Sequence, residues 1–455
     1  MIIKKFDEIN ISKGFKENLK SLGFENLTPI QEKSVDVLLE KKDCIAKANT
    51  GSGKTLAFSI PIVESLDVKN YKIQTLILAP TRELANQIAT NLRDYVRHIH
   101  NVKILTLCGG MPFKPQVASL FHGAHIIVGT AGRILKHIKE ENIDLSNVKN
   151  LVLDEADKML DMGFYDDIME IINILPKQRH SMLFSATYEH NIETLSSSIL
   201  SNPIFVEVKA QKAKIKQLFY KCDKQNRKNL LVPVITQNKA QSILIFANMK
   251  IECDDIADFL DELGVDVLTL HSDLDQKERD EVFALFKSKS YPVLIASDVA
   301  SRGLDVDDID LVINFELAKD VKVHTHRIGR TARAGKGGIA ISFYDNDEDK
   351  VDDIKDDFDD IVFDEIENIV DDTSFKIDSE FRTLFIDAGK KHKLRKGDVI
   401  GALTAGIGLH KDEIGLIESQ NFRTYVAIKK DKIDFVLKAL KDTKIKGKNY
   451  RYNKL

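Results

Sequence analysis

The sequence has 455 residues, of which 43% are hydrophobic and 30% charged, and its net charge is −4. These values are typical of a globular protein of about three domains, and the net charge alone indicates no nucleic-acid partner. The four cysteines lie too far apart for a zinc motif or a disulfide framework, and no apolar run is long enough for a signal peptide or a membrane span. We therefore expect a soluble, cytoplasmic protein with no membrane partner.

The segment Gly23–Gln31 predicts a helix end, a turn and the start of another helix. Gln31 precedes a glycine-rich loop, and a glutamine amide matches the donor and the acceptor that adenine presents. Two interpretations of Gln31 therefore stay open, a structural residue and an adenine contact.

The glycine-rich segment 48–55 follows a short apolar run, Cys44–Ala46, and precedes the apolar-periodic run Leu56–Ile60. This order predicts a strand, a loop and a helix, in which backbone N–H groups surround phosphate oxygens at the helix N-terminus. Lys54 would reach the β- and γ-phosphates of a nucleotide, and the Thr55 hydroxyl would bind Mg²⁺. A glycine-rich turn without a nucleotide is the alternative. The predicted loop residues are Ala48, Asn49, Thr50, Gly51, Ser52, Gly53, Lys54 and Thr55.

After this loop, short apolar runs alternate with amphipathic stretches such as 83–96. Continuous apolar runs are typical of strands buried on both faces of a parallel sheet with helices on each side. Polar motifs follow the ends of these runs, where open α/β sheets bind ligands. The predicted strands are Leu76–Ala79, Ile126–Val128, Leu151–Leu153 and Met182–Phe184.

The same alternation begins again near residue 209, without a second phosphate loop. Its predicted strands are Ile243–Phe246, Val267–Leu270, Val293–Ala296 and Leu311–Ile313. The sequence therefore predicts two similar α/β domains in tandem, at residues 1–207 and 208–372.

The acidic segment Asp154–Asp157 directly follows the predicted strand Leu151–Leu153. A carboxylate at this point, downstream of a phosphate loop, suits Mg²⁺ binding by Asp154, and Glu155 could position and deprotonate an attacking water. The alternative is an acidic helix start, since acidic residues stabilise helix N-termini.

The last part of the chain divides by charge. Residues 345–372 contain fifteen acidic residues against two lysines, which predicts a solvated helix closing the second domain and then a linker. Residues 382–455 contain eighteen lysines and arginines against eight acidic residues, and their apolar runs predict the order βαββαβ. A small basic α+β domain of this order, placed at 378–455, favours RNA binding over a merely basic surface.

These motifs, taken in order, resemble those of the DEAD-box ATP-dependent RNA helicases of superfamily two, over about residues 6–370. The resemblance implies two RecA-like domains that close over ATP and RNA, with ATP and Mg²⁺ as cofactors. It rests on Phe6, Gly23-Phe24, 28–31, 48–55, 80–85, Gly109-Gly110, 130–133, 154–157, 185–187, 276–279, 297–305 and 326–333.

The resemblance also implies roles at the nucleotide. Phe24 would stack on adenine, Gln31 would bind it together with Thr28, and Asp305 would contact the ribose. Arg330 and Arg333 would be arginine fingers, and an arginine supplied in this way is worth about 10³–10⁵ in rate. Because the two arginines are three residues apart, a helical turn would present them on one face. The implied catalytic residues are Lys54, Asp154, Glu155, Arg330 and Arg333, and those that couple the nucleotide to RNA are Asp157, Ser185, Thr187 and His326.

For RNA, the resemblance implies contacts with the sugar–phosphate backbone, which carry no sequence information. A turn or a helix cap is the alternative role for each residue. The implied RNA contacts are Pro80, Thr81, Arg82, Gly110, Thr130, Gly132 and Arg133 in the first domain, and Gln276, Arg279, Ser297 and Arg302 in the second.

Three positions depart from the family's usual motifs. Ala131 stands where proline is common, Ser272 where glycine is common, and Ala332 where glycine usually separates the last two arginines. Ala332 could restrict the backbone between those arginines. Because a methyl group is the smallest possible addition, we expect activity to survive.

Residues 380–455 resemble the RNA-binding domain of DbpA-type helicases, a group associated with bacterial large-subunit assembly and a hairpin of the large ribosomal RNA. The match rests on 383–391, 397–404 and 445–448. Phe385 and Tyr425 are candidates for base stacking on an RRM-like sheet, but Arg423 stands where an aromatic residue is expected. The sequence therefore favours recognition through Lys390, Lys391, Lys393, Arg395, Lys446 and Lys448, with Tyr425 as a further candidate.

The sequence thus predicts a monomeric ATP-dependent RNA helicase that opens short duplexes locally. Its C-terminal domain would direct it to large-subunit ribosomal RNA in pre-ribosomal particles. The alternatives are a general RNA helicase, an ATP-dependent RNA clamp or chaperone that does not unwind, and a DNA helicase of the same superfamily. The basic domain could also bind a protein instead of RNA.

Overall fold

The computed structural model of the chain describes residues 4–48, 51–188, 190–208, 215–298, 309–331, 337–345, 348–358 and 361–455. The chain divides into two compact units, residues 1–211 and 212–455. Among the helices of the described residues, none combines the length and the apolar character needed to cross a membrane.

The first unit is built on a parallel sheet. Its strands are β1 (Cys44–Lys47), β2 (Thr75–Leu78), β3 (Ile104–Leu107), β4 (Ile126–Gly129), β5 (Asn150–Leu153), β6 (His180–Ser185) and β7 (Ile204–Glu207). Its helices are α1 (Lys13–Ser21), α2 (Pro29–Leu39), α3 (Lys54–Glu64), α4 (Arg82–Tyr95), α5 (Phe113–Leu120), α6 (Ala131–Lys139), α7 (Ala156–Asp161), α8 (Tyr165–Ile174) and α9 (His190–Ile199), and a 3₁₀ turn lies at Phe6–Glu8. The strand order is β3-β4-β2-β5-β6-β1-β7.

The sheet separates two hydrophobic clusters. Successive residues of β2 point to opposite faces, so that Ile77 packs into one cluster while Leu76 and Leu78 pack into the other. The strands are therefore buried on both faces, which explains their continuous apolar sequence.

The second unit begins with another parallel sheet. Its strands are β8 (Ile215–Lys221), β9 (Ile243–Ala247), β10 (Val267–Leu270), β11 (Val293–Ser297), β12 (Leu311–Asn314), β13 (Gly338–Tyr344) and β14 (Ile361–Asp364). Its helices are α10 (Arg227–Gln237), α11 (Lys250–Glu262), α12 (Gln276–Lys287), α13 (Val321–Ile328) and α14 (Glu348–Asp357), with a 3₁₀ turn at Ile366–Asn368. The order is β10-β11-β9-β12-β13-β8-β14. Numbered within each unit, the described strands of both sheets run 3-4-2-5-6-1-7, which confirms the predicted tandem architecture.

A small antiparallel sheet completes the second unit. Its elements are β15 (Phe381–Ile386), α15 (Lys396–Gly401), a π-helical turn (Ala402–Gly406), β16 (Ile414–Ser419), β17 (Thr424–Lys429), α16 (Ile433–Ala439) and β18 (Tyr452–Lys454), with 3₁₀ turns at Lys390–His392 and Lys411–Glu413. The strand order is β16-β17-β15-β18, and helix residues such as Val399 and Val436 pack with Leu384 and Val426 on one face. The predicted βαββαβ order is confirmed.

The opposite face of this small sheet packs against α12 and the turn that follows it. The Tyr425 hydroxyl donates to Glu281 Oε2 over 3.1 Å, and Thr383 Oγ1 donates to Ser290 Oγ over 2.7 Å. Arg382 forms an ion pair with Asp266 at the same boundary. The C-terminal sheet is therefore seated on the second parallel-sheet domain through its strand face.

The acidic segment 345–372 is more ordered than the sequence suggested. Its predicted helix is present as α14, but β14 adds to the edge of the sheet beside β8 instead of forming a linker. Val351 and Ile354 of α14 are buried with Phe219 and Leu317. The prediction of a purely solvated helix and linker was therefore wrong for this segment, because apolar residues are spaced between its acidic ones.

We expect Gly389→Ala to destabilise the C-terminal sheet. An added Cβ at Gly389 would overlap the Gln420 carbonyl oxygen and lie 2.8 Å from Arg423 N, and such overpacking typically costs about 1–3 kcal/mol. Gly397→Ala is the matched control, because an added Cβ there meets no neighbouring atom and alanine favours the helix. Hydrogen exchange of residues 381–455, recorded at increasing temperature, measures the stability of this sheet in both variants. Equal stability of the two variants would contradict the packing argument.

Candidate functional site

The phosphate loop connects β1 to α3, and Asn49 and Thr50 lie outside the described residues. Gly53 has φ of 94°, a left-handed conformation that favours glycine. A Cβ at Gly53 would lie 2.5 Å from Gln31 Nε2 and 2.8 Å from Thr28 Oγ1, so no larger residue fits this cradle. The loop therefore requires glycine for its backbone conformation and for its close contact with the segment 28–31.

Gln31 joins that segment to the loop. Its Nε2 donates to the Gly53 carbonyl over 3.0 Å, and its Oε1 accepts from Thr28 N over 2.9 Å. The side chain is buried, which places it beside the loop as both sequence interpretations require. Phe24 is 36% exposed and packs edge-on against Phe6 and Tyr95, so one part of its ring remains open to a ligand.

Lys54 is buried at the first residue of α3, and its ammonium group donates to the Ala48 carbonyl over 2.9 Å. Thr55 follows it, half-buried, at the same helix N-terminus. A helix N-terminus is a ready site for phosphate because its first N–H groups have no partner within the helix. The loop therefore brings an ammonium group, a hydroxyl and free helix N–H groups together.

Asp154 and Glu155 follow the end of β5 and are both buried. Burial raises the pKa of Asp154 to about 6, and the neighbouring Lys54 ammonium opposes this rise. Glu155 has φ of 54°, and its Oε2 accepts from Lys158 Nζ over 2.8 Å. Sequence reasoning missed Lys158, although its i+3 spacing on the start of α7 was a usable signal.

These residues fit a nucleotide with its Mg²⁺. Thr28 Oγ1 and Ser185 Oγ are buried without a hydrogen-bond partner among the described residues, which leaves polar atoms for a ligand. The Thr55 hydroxyl and the Asp154 carboxylate are the hard oxygen donors that Mg²⁺ prefers. Within the described ranges no cluster of three His, Cys, Asp or Glu side chains could hold an ion alone, and Mg²⁺ commonly binds one or two carboxylates together with substrate phosphates.

The end of β6 connects the loop to the acidic motif. Ala48 N donates to the Ser185 carbonyl over 3.0 Å. Asp157 Oδ2 accepts from Ala186 N and Thr187 N, each over 3.1 Å. The structure therefore brings together Asp157, Ser185 and Thr187, the residues of the first unit that the sequence predicted to couple nucleotide and RNA.

The predicted RNA contacts of the first unit follow three neighbouring strands, β2, β4 and β3. Thr81 Oγ1 caps α4 by accepting from Leu84 N over 3.2 Å, and Arg133 donates to the Met111 carbonyl over 3.0 Å. Both side chains therefore form hydrogen bonds within the protein, as a structural role requires. Gly110 and Gly132 are exposed, Thr130, Thr81, Arg82 and Arg133 are half-buried, and Pro80 is buried. Ala131 is buried at the first residue of α6, a position that alanine and proline both suit.

In the second unit, α12 begins with Gln276, and Asp275 Oδ1 caps the helix by accepting from Glu278 N over 2.8 Å. Gln276 and Arg279 are half-buried on its first turn, and Ser297 ends β11. Ser272 is exposed. The predicted residues Arg302, Asp305 and Arg333, and also Ala332, lie outside the described residues.

Arg330 lies in the turn that follows α13, and because Arg333 lies outside the described residues, the prediction that one helical turn presents both arginines stays a prediction. Helix α13 ends at Ile328, Gly329 follows it, and Thr331 pairs with Ile309 and donates to its carbonyl over 2.6 Å. The helix has therefore ended before Arg330, and the next residue, Thr331, pairs with Ile309. Arg330 is buried, and His326 is half-buried on the last turn of α13.

Arg327 was missed by sequence reasoning and is 1% exposed. Its guanidinium binds both carboxylate oxygens of Asp298, at 2.6 and 2.8 Å. It also donates to the Glu316 carbonyl over 2.8 Å and to Asn248 Oδ1 over 2.7 Å. These partners follow β11, β12 and β9, so one side chain holds three strand ends in place.

On the C-terminal sheet, the six predicted basic residues are all exposed, whereas Tyr425 is fully buried. Arg423 and Tyr425 both contact Glu281, and burial raises the pKa of Tyr425 to about 12. In this arrangement the prediction that Tyr425 contacts RNA was wrong, because the ring is covered by α12 and the strands beside it.

Three protein-family models match the chain. The DEAD/DEAH box helicase model matches residues 28–195, the helicase conserved C-terminal domain model matches 225–335, and the DbpA RNA binding domain model matches 383–454.

Two curated relatives match nearly the whole chain. ATP-dependent RNA helicase DbpA of Escherichia coli (strain K12) is 42% identical over 436 residues, which are 95% of this chain and 95% of the relative. ATP-dependent RNA helicase DbpA of Bacillus subtilis (strain 168) is 35% identical over an alignment 477 positions long, gaps included, which covers 99% of each chain.

Solved structures match the two parallel-sheet domains. S. cerevisiae Dbp5 bound to RNA and ADP BeF3 is 28% identical, with a TM-score of 0.73 over 80% of this chain and 96% of that chain. Mss116p bound to ssRNA and AMP-PNP is 26% identical, with a TM-score of 0.72 over 80% of this chain and 79% of that one.

We expect Arg327→Met to lower the free energy of unfolding of the second unit by about 3 kcal/mol, because it removes the ion pair with Asp298 and the hydrogen bonds that the buried guanidinium donates to the ends of β9 and β12. Lys319→Met is the control, since the Lys319–Asp320 ion pair is exposed and worth about 1 kcal/mol or less. Chemical denaturation with hydrogen exchange of 215–298 measures both. A loss for Arg327→Met no larger than for the control would contradict the role of Arg327.

Proposed function

The chain belongs to the DEAD-box ATP-dependent RNA helicases of the DbpA type, and we propose that its C-terminal domain directs it to structured large-subunit ribosomal RNA, where it opens short duplexes during ribosome assembly. The observation that carries this proposal is the exposed basic surface of that domain, which is held in place by its own hydrogen bonds.

This basic surface consists of Lys390, Lys391, Lys393, Arg395, Lys446 and Lys448. Lys446 Nζ donates to the Lys393 carbonyl over 2.7 Å and pairs with Asp398 at 3.0 Å. Arg395 N donates to the same Asp398 carboxylate over 2.9 Å, and these two contacts lower its pKa. The two basic segments are therefore fixed beside each other, which reduces the ordering cost of binding a phosphate backbone.

The binding and hydrolysis of ATP are assigned to the phosphate loop and the acidic motif of the first unit. Thr55 and Asp154 would hold Mg²⁺, which when bound supplies positive charge for phosphoryl transfer. Lys54 would exchange the Ala48 carbonyl for phosphate oxygens. Glu155, oriented by Lys158, would position and deprotonate the attacking water. Arg330 stays a predicted arginine finger.

We expect the double variant Lys391→Glu, Lys448→Glu to lose the preference for ribosomal RNA. RNA-stimulated ATPase is measured with a large-subunit ribosomal fragment and an unrelated RNA of equal length, at one stated salt concentration. Lys438→Glu, Lys441→Glu is the control, because it makes the same change of charge on and after α16 of the same domain. We expect the control to keep the preference.

Other outcomes decide between the alternatives. Equal stimulation of the unaltered protein by both RNAs would favour a general RNA helicase. If both double variants lose the preference for ribosomal RNA equally, the domain acts only as an electrostatic tether that binds RNA through its overall charge. Tight RNA binding without ATP-driven displacement of a short duplex would favour an RNA clamp.

We expect Glu155→Gln to reduce ATP turnover by about 10²-fold or more, the usual contribution of a general base, while ATP binding is retained. Glutamine keeps an acceptor for Lys158, so the local fold is preserved. Glu25→Gln, at an exposed acid, is the control and should turn over normally. Unchanged turnover in Glu155→Gln would disprove the catalytic assignment.

A further inference from the structure

Phe422 is an exposed aromatic residue at the turn between β16 and β17. Its side chain is 60% exposed, although aromatic rings are usually among the more buried side chains. The turn is closed by Gln420 N, which donates to the Arg423 carbonyl over 2.8 Å. The ring is therefore held out to solvent by an ordered backbone.

A second loop fixes this turn from the side. Lys390 N donates to the Gln420 carbonyl over 2.9 Å, and Lys391 N donates to the Asn421 carbonyl over 2.8 Å. The close approach of the two loops depends on Gly389, where an added Cβ would overlap the turn. Two lysines of the basic surface are thereby anchored next to Phe422.

His392 lies beside the Phe422 ring. The centroids of His392 and Phe422 are 6.2 Å apart, at an interplanar angle of 76°. Gly389 N donates to His392 Nδ1 over 3.2 Å, so the neutral imidazole carries its proton on Nε2. The cluster thus combines an aromatic face, an imidazole donor and two lysines.

This combination suits an unpaired nucleotide. Proteins bind single-stranded nucleic acid by stacking bases on aromatic side chains while basic groups bind the phosphates. A partner protein would need an apolar surface of complementary shape, whereas a single ring among cations suits a base and its phosphate. The charge of the surroundings therefore favours RNA.

The cluster borders the start of α12. Gln420 Nε2 donates to the Asp280 carbonyl over 3.3 Å, and Arg423 pairs with Glu281 at 3.2 Å. Asp280 and Glu281 immediately follow Arg279, a predicted RNA contact on the same helix. The turn that carries Phe422 is therefore in contact with the part of α12 that directly follows Arg279.

We propose that Phe422, flanked by His392, Lys390 and Lys391, is a stacking site for an unpaired base of the RNA that the C-terminal domain binds. The site rests on the proposed RNA-binding function and replaces the predicted stacking on Tyr425, which α12 covers.

The first test compares Phe422→Ala with Phe435→Ala in the full-length chain. Phe435 is 53% exposed on α16, next to the Asp434–Lys454 ion pair, and so controls for loss of an exposed ring. We expect Phe422→Ala to weaken binding of the large-subunit ribosomal fragment about 5- to 100-fold, the range for one stacked base, and Phe435→Ala to bind normally. Equal affinities of the two variants would overturn the proposal.

The second test detects stacking directly. Because the chain contains no tryptophan, Phe422→Trp and Phe435→Trp each introduce a single tryptophan, whose emission can be excited apart from that of the ten tyrosines. We expect the ribosomal fragment to quench the Phe422→Trp emission and not that of Phe435→Trp. Heparin, a polyanion without bases, should bind the lysines without this quenching.

The outcomes separate this site from the proposed function. If the unaltered protein binds the fragment but Phe422→Trp is not quenched, the stacking site is wrong and RNA targeting stands. If the unaltered protein does not bind the fragment, both are wrong. If heparin quenches the Phe422→Trp emission as strongly as RNA does, the quenching follows from a bound polyanion and not from a stacked base, and the proposal is overturned.

Discussion

Parallel strands end at one edge of a sheet, and this constraint organises the candidate site of the first unit. The loops after β1, β5 and β6, which are neighbours in the sheet, carry the phosphate loop, Asp154 and Thr187. The loops after β2, β4 and β3, also neighbours, carry the predicted RNA contacts. Strand order therefore places the candidate nucleotide residues in one half of this edge and the predicted RNA contacts in the other half. The hydrogen bonds of Asp157 to the backbone of residues 186–187 join the acidic motif to the loop after β6.

The C-terminal sheet obeys a different constraint, because its strand face is already used. Glu281 of α12 is half-buried, and its carboxylate accepts from the Tyr425 hydroxyl and from the Arg423 guanidinium. This explains why arginine stands where an RRM would carry an aromatic residue: the position serves contact with α12 and not contact with a base. Because the strand face is covered, the exposed residues of the basic surface lie outside that face, in the loops around the sheet.

The sequence predicted best the strands that are continuous apolar runs. Strands such as β2 and β5 are buried on both faces and carry that signal. The sequence missed the partly exposed edge strands β3, β7 and β14, although it predicted the edge strand β10. It also missed the internal strands β8 and β13, in which polar residues such as Gln217 and Ser342 interrupt the apolar run. Site residues within contiguous motifs could be predicted because the whole signal lies in one short segment of the sequence. The role of Arg327 could not be predicted, because its partners follow three different strands and only the fold brings them together.

The contacts at the C-terminal sheet bear on how targeting would work. A flexible tether raises the local concentration of a target but does not fix its orientation. Here Thr383 is buried against Ser290, and Arg382 pairs with Asp266, so specific side-chain contacts hold the sheet against the second parallel-sheet domain. Under the proposed function, the distance from the recognised RNA element to the first turn of α12 is then set by the fold. The domain would select which neighbouring duplex is opened as well as which RNA is bound, because only a duplex at that distance meets Gln276 and Arg279.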